Sequence, residues 1–127
     1  MSTPEALNGL SWRTIPTSAD RASSGHVFET TIPRDSPFFE GHFRGYPVLA
    51  AVVQLHELVL PCVRCVRPSA GPLRALSGVK FPARIQPGDT VRVTIEPGAD
   101  AHAVAFSIAC GDVTCTSGRL TLGDAAP

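Results

Sequence analysis

The stretch SPFFEGHFRGYPVLAAVVQLHELVLPC, residues 36–62, decides how the rest of the chain is read. It sets His42 in a glycine-bracketed aromatic loop and His56 fourteen residues later, inside an apolar run. Over residues 48–66 the pattern predicts one helix. Val52, His56, Val59 and Val63 share a face at helical spacing, and Leu55, Leu58 and Cys62 fall on an adjacent face. Only Gln54, Glu57 and Arg64 form a polar stripe. A helix this apolar must be covered on most sides. Pro61 cannot donate a backbone hydrogen bond, so it is expected to kink the helix or end its first part. Glu57 is turned by about 100° from His56 and does not share its direction.

Outward from the helix the period changes to that of strands. Upstream, HVFETTIP (26–33) alternates and carries β-branched residues, which predicts a strand ended by Pro33. Downstream, LRALSGVKFPARI (73–85) reads as a strand interrupted by Gly78 and Pro82. QPGD is a turn and TVRVTIE (90–96) alternates strictly. HAVAFSIAC (102–110) and VTCTSGRLTL (113–122) flank Gly111-Asp112 as a tight hairpin. Residues 1–22 are polar and rich in Pro and Ser, with Trp12 and Ile15 as anchors. The expected class is α+β, an antiparallel sheet wrapped around one long central helix.

The 127 residues suit one domain, and 43% apolar residues argue against disorder. A formal net charge of zero offers no electrostatic footprint for nucleic acid. No apolar run approaches the roughly 20 residues that span a bilayer, so no membrane partner is expected. The start MSTPEALNGLSWRT lacks a secretory pattern, which points to the cytoplasm. There, cysteines default to reduced thiols. Cys62, Cys65, Cys110 and Cys115 therefore read as small apolar residues, with a zinc site the rival reading.

In the loop, Gly41 and Gly45 permit close backbone approach, and Phe38, Phe39 and Phe43 supply apolar walls. Desolvation there favours a neutral imidazole at His42, able to accept a proton. The helix start near Ala50 and Ala51 offers unpaired N–H groups that can polarise a carbonyl. A base beside such a helix start suits proton abstraction next to a thioester. The alternative for His42 is a loop histidine bonded to a carbonyl for shape. For His56 it is a core histidine satisfied by one hydrogen bond.

FFEGHFRGYPVLAAVVQLHE resembles the GHFPG-x-P-[VIL]-[LM]-P-G-V-x-Q signature of hot-dog-fold 3-hydroxyacyl-ACP dehydratases, and PVLAAVVQL resembles the aryl-polyene type most. VKFPARIQPGDTVRVTIE and CTSGRLTL resemble the family's later strands, so the likeness runs over residues 26–122. The resemblance implies a single hot-dog domain over residues 23–127 behind an extension of 1–22. It also implies a homodimer, or a pair with a related hot-dog subunit. His42 would be the base, the Val48 carbonyl would orient its imidazole, and the Ala51 N–H would hold the thioester carbonyl. Phe43, Gly45 and Val52 complete the expected substrate-binding set.

The family's acid, Asp or Glu, would stand at position 56, where this chain has His56. Arg44 and Ala50 also replace family prolines. The implied reaction removes water from a 3-hydroxyacyl thioester on an acyl carrier protein, giving a trans-2-enoyl thioester. It needs no metal and no cofactor, since the phosphopantetheine arm belongs to the carrier. Arg64, Arg67, Arg74, Lys80 and Arg84 are candidates to meet an acidic carrier. Asp35 and Glu40 are acidic neighbours of the loop. The rival functions are an acyl-thioester-binding or partner subunit that has lost the reaction, and an acyl thioesterase using Glu57.

Overall fold

The computed structural model describes residues 10–15, 25–33, 54–67, 71–86, 88–98 and 102–123, the side chains of His56 and Glu57 aside. Strands β1 (Trp12–Ile15) and β2 (His26–Thr31) come first. A π-helical segment, Gln54–Val59, then runs directly into α1 (Leu60–Val66). Four strands follow: β3 (Leu73–Lys80), β4 (Thr90–Pro97), β5 (Ala103–Cys110) and β6 (Val113–Leu122). They form one sheet in the order β1-β2-β4-β5-β6-β3, and every neighbouring pair is antiparallel.

Period-two alternation decides which face of the sheet is dry. Val91, Val93 and Ile95 of β4 are buried, as are Val104, Phe106 and Ile108 of β5 and Phe28 of β2. Leu58, Val59, Cys62 and Val63 of the helix join them in one cluster, with α1 packed on β4. Fully burying an aliphatic side chain of this size contributes about 1.5–3 kcal/mol. Packing of this kind, rather than intrinsic propensity, holds a helix that contains valines and a proline. At the helix end, the Arg67 N–H donates to Val63 O at 2.7 Å, and the Arg67 guanidinium reaches Gly98 O at 3.4 Å.

The turns follow the chemistry read from the sequence. The Gln86 N–H donates to Asp89 Oδ2 at 2.8 Å, and Gly88 takes φ 85°, which suits glycine. Gly111 takes φ 62° in the β5–β6 hairpin.

The structure departs from the sequence reading in four places. Within the described residues the helix is π over Gln54–Val59 and α from Leu60, with Pro61 at the change of winding. Gln54, assigned to the polar stripe, is buried. β3 stops at Lys80, before Phe81-Pro82, since proline cannot donate to a ladder. Trp12 and Ile15, read only as isolated anchors in a polar extension, are the ends of strand β1, and Leu10 just before it is fully buried. Arg13 conceals that strand in the sequence. Its charge is met by Glu29 on β2, with Arg13 Nε 2.7 Å from Glu29 Oε1. Among the described residues, no helix is long and apolar enough to cross a membrane.

Candidate active site

The described part of the expected site is the π-helical segment Gln54–Val59. Gln54 begins the π-helical segment with its amide buried, and Thr116 of β6 donates its hydroxyl to Gln54 Oε1. Thr116 is itself fully buried. Two polar side chains in an apolar layer must satisfy one another, because a buried unpaired group costs more than a typical bond contributes. The pair therefore ties the π-helical segment to β6.

His56 lies two residues beyond Gln54, within that π-helical turn. Its backbone is bracketed by buried Gln54 and buried Leu58. A π turn is uncommon, and such turns are frequent at functional sites because they redirect side chains.

The other expected site residues, His42, Phe43, Gly45, Val48, Ala51 and Val52, lie outside the described residues, as do Asp35 and Glu40. The structure thus places the backbone of one expected catalytic residue, His56, on the helix. Of the expected carrier-facing cations, Arg64, Arg74, Lys80 and Arg84 are exposed, and Arg67 is half-buried against Gly98 O.

No three His, Cys, Asp or Glu side chains gather as a metal-binding group among the described residues. Burial pushes the Cys62 thiol well above its ordinary range, with the neighbouring Cys65 adding to the effect. Cys62 is therefore a packed apolar group rather than a nucleophile.

Thr116 is the buried partner of the helix that sequence reading missed. The available signal was Gln54, which occupies the last place of the dehydratase signature quoted above. A glutamine there, against apolar neighbours, requires a buried partner. Strand alternation hides that partner, because a bulge in β6 makes both Cys115 and Thr116 face inward.

Comparison with known proteins agrees with this fold. The chain is 32% identical over 76 residues to the 3-hydroxyacyl-[acyl-carrier-protein] dehydratase FabZ of Anaeromyxobacter sp. (strain Fw109-5), covering 52% of this chain and 48% of the relative. The chain spans about half the length of the curated relatives it matches.

Two solved structures superpose closely. The dehydratase heterocomplex ApeI:P from Xenorhabdus doucetiae gives a TM-score of 0.71 at 21% identity, with 88% of this chain and 97% of that one covered. An uncharacterised protein from Erwinia carotovora subsp. atroseptica gives 0.68 at 27% identity, covering 91% and 94%. The shared architecture is the hot-dog fold, in which this helix is the enclosed element. The ApeI-like family, described as ApeI dehydratase, matches residues 18–119. That span takes in the histidine loop, the π turn and most of the sheet, and the chain belongs to this ApeI-like dehydratase family.

Proposed function

We propose that the protein is a 3-hydroxyacyl-[acyl carrier protein] dehydratase acting in fatty-acid, polyene or polyketide-type synthesis. The observation that carries this reading is the family match over residues 18–119, which includes both His42 and His56. His42 takes the C2 proton of the 3-hydroxyacyl thioester. The Ala51 N–H holds the thioester oxygen as charge develops there, and the Val48 carbonyl orients the imidazole. As the C3–O bond breaks, His56 gives a proton to the leaving hydroxyl, which departs as water. The product is the trans-2-enoyl thioester. His42 ends protonated and His56 neutral, and exchange with solvent resets both. Two adjacent imidazoles disfavour double ionisation, which supports one neutral base and one charged acid. No cofactor is required, and the carrier's phosphopantetheine arm delivers the substrate.

The test is mass spectrometry of 3-hydroxyacyl carrier proteins of several chain lengths after incubation with the purified protein. Loss of one water that disappears in a folded His42→Ala variant is the expected result. Turnover unchanged in His42→Ala overturns the mechanism.

A second reading is supported by β3. Residues 74–78 are exposed on both faces of that strand, and Leu76 and Phe81 stand 41% and 45% exposed. A strand open on both faces suits a second hot-dog subunit laid against it, either another copy or a related chain. With His56 in place of a carboxylate, this chain would then be a binding or partner subunit. A complex that dehydrates only when the related subunit is present, and is indifferent to His42→Ala in this chain, favours that reading.

A further inference from the structure

The β5–β6 hairpin holds a pair of thiols that the dehydratase reading does not use. Cys110 closes β5, and Cys115 lies five residues on, beyond the Gly111-Asp112 turn. Cys110 is opposite Val113, and Ala109 is opposite Thr114. Ile108 is opposite Thr116, so Cys115 is the extra residue of a bulge. In a regular ladder, positions diagonal to each other are about 7–8 Å apart. The bulge tightens the local twist and turns the Cys115 side chain toward Cys110. The two sulfurs stand 3.0 Å apart. That is about 1 Å beyond the roughly 2.05 Å of a disulfide bond.

Around the pair, Cys115 is buried, with Arg84 O and Val113 O each 3.8 Å from its sulfur. Cys110 is only half-buried, and the four residues between the cysteines, 111–114, are all exposed. A small reagent therefore meets Cys110 first, while Cys115 waits behind it.

We infer that Cys110 and Cys115 form a reversible dithiol–disulfide site that closes within the hairpin on reaction with a small-molecule disulfide. The Cys110 thiolate attacks one sulfur of the reagent, and one thiol leaves. The Cys115 thiolate then attacks the Cys110 sulfur of the mixed disulfide, and the second thiol leaves. Two protein S–H bonds are lost and one S–S bond forms. The reagent's S–S bond is reduced to two thiols, which take up the two protons.

Exchange here is slow. Burial, the contact with Cys115 and the nearby Asp89 carboxylate push the Cys110 thiol up to about 12, so little thiolate is present near neutrality. That sets the pair apart from fast catalytic thiols and suits a site that responds to sustained oxidation. The second pair, Cys62 and Cys65, serves as an internal control. Cys62 is sealed in the core, with no comparable access.

The test uses the full chain, equilibrated for many hours with oxidised glutathione at mildly alkaline pH. Remaining thiols are then alkylated in denaturant, and peptides are mapped by mass spectrometry. The expected result is a Cys110–Cys115 disulfide with Cys62 and Cys65 alkylated, fully reversed by a dithiol reductant and absent from Cys110→Ser. Four alkylated cysteines overturn the inference. So does a stable glutathione adduct on Cys110 without closure, or a disulfide that includes Cys62 or Cys65. The wild-type map decides the matter even if a variant folds poorly.

Discussion

Thr116 of β6 donates its hydroxyl to the buried amide oxygen of Gln54, joining the far strand of the hairpin to the π-helical segment. Thr116→Val keeps the volume and removes this donor from a buried carbonyl. The expected cost is about 1–3 kcal/mol, read as a lower urea midpoint with an unchanged slope. Thr116→Ser restores the hydroxyl and should recover most of the loss. Equal destabilisation by both would assign the effect to packing instead.

That bond also marks where the sequence stopped being legible. The alternation of β4 and β5, the turn at Gly88 and the β5–β6 hairpin at Gly111 follow local rules and could be read directly, whereas the sheet order, which pairs β3 with β6 and β2 with β4, could not. Thr116 and Gln54 obey none, because their burial depends on a bulge and on a partner 62 residues away. Leu10 and β1 were hidden for the same reason: Arg13 looks solvated until Glu29 is brought across the sheet. Of the site, His56 could be placed on the helix by period, yet the π turn that carries it could not. A π turn reflects how the helix seats on the sheet and has no spacing signature of its own.

Gly118 lies directly opposite Phe106 across β5 and β6. A Cβ there would meet Val79 Cγ2 at 2.9 Å and Phe106 Cζ at 3.0 Å. The ring covers the glycine and is itself buried. Gly118→Ala therefore forces a core side chain to move, at about 1–3 kcal/mol of stability by chemical denaturation. A variant as stable as the parent would mean that the ring shifts at no cost.

Glu29 receives Arg92 Nε at 2.8 Å and is also paired with Arg13. These partners, Arg92 first, hold its carboxyl below the ordinary value of 4.5. The unfolded chain then binds the proton more readily. The contribution to stability is complete above about pH 4.5 and is lost as pH falls through the folded value. Both arginines are largely exposed, so salt should weaken the effect. The melting temperature of Glu29→Gln should fall less on acidification than that of the parent, and the gap should narrow in high salt. Parallel pH profiles would deny Glu29 this role.

The exposed faces of β3 predict an assembly. If a second subunit covers Leu76 and Phe81, replacing both with lysine places charges in an apolar contact and should shift the protein toward monomer. Light scattering after gel filtration reads this directly. Far-ultraviolet circular dichroism checks that the subunit still folds, since both residues are exposed in the single chain. A parent that is monomeric at all concentrations, alone and with a related hot-dog chain, would remove the assembly.

The resemblance to the dehydratase signature implies a carboxylic acid at position 56, where this chain has His56, whose backbone lies in the π turn that Gln54 ties to Thr116. If it is the proton donor, His56→Ala should lower kcat by about 10²–10⁴ while leaving carrier binding intact, the usual range for losing a general acid. His56→Asp should restore part of that loss, because a carboxyl in an apolar setting can stay protonated and donate. The limbs of the pH–rate profile separate the cases. On that mechanism one imidazole in the parent would act as base and the other as acid, so each would set one limb. In His56→Asp, one limb becomes that of a carboxyl group and should move. A His56→Ala variant that retains full kcat would leave His42 and water to complete the elimination, and His56 would then be a core histidine. A parent with no turnover, joined by a His56→Asp variant that gains it, would show that this single replacement turned a working fold into a binding subunit.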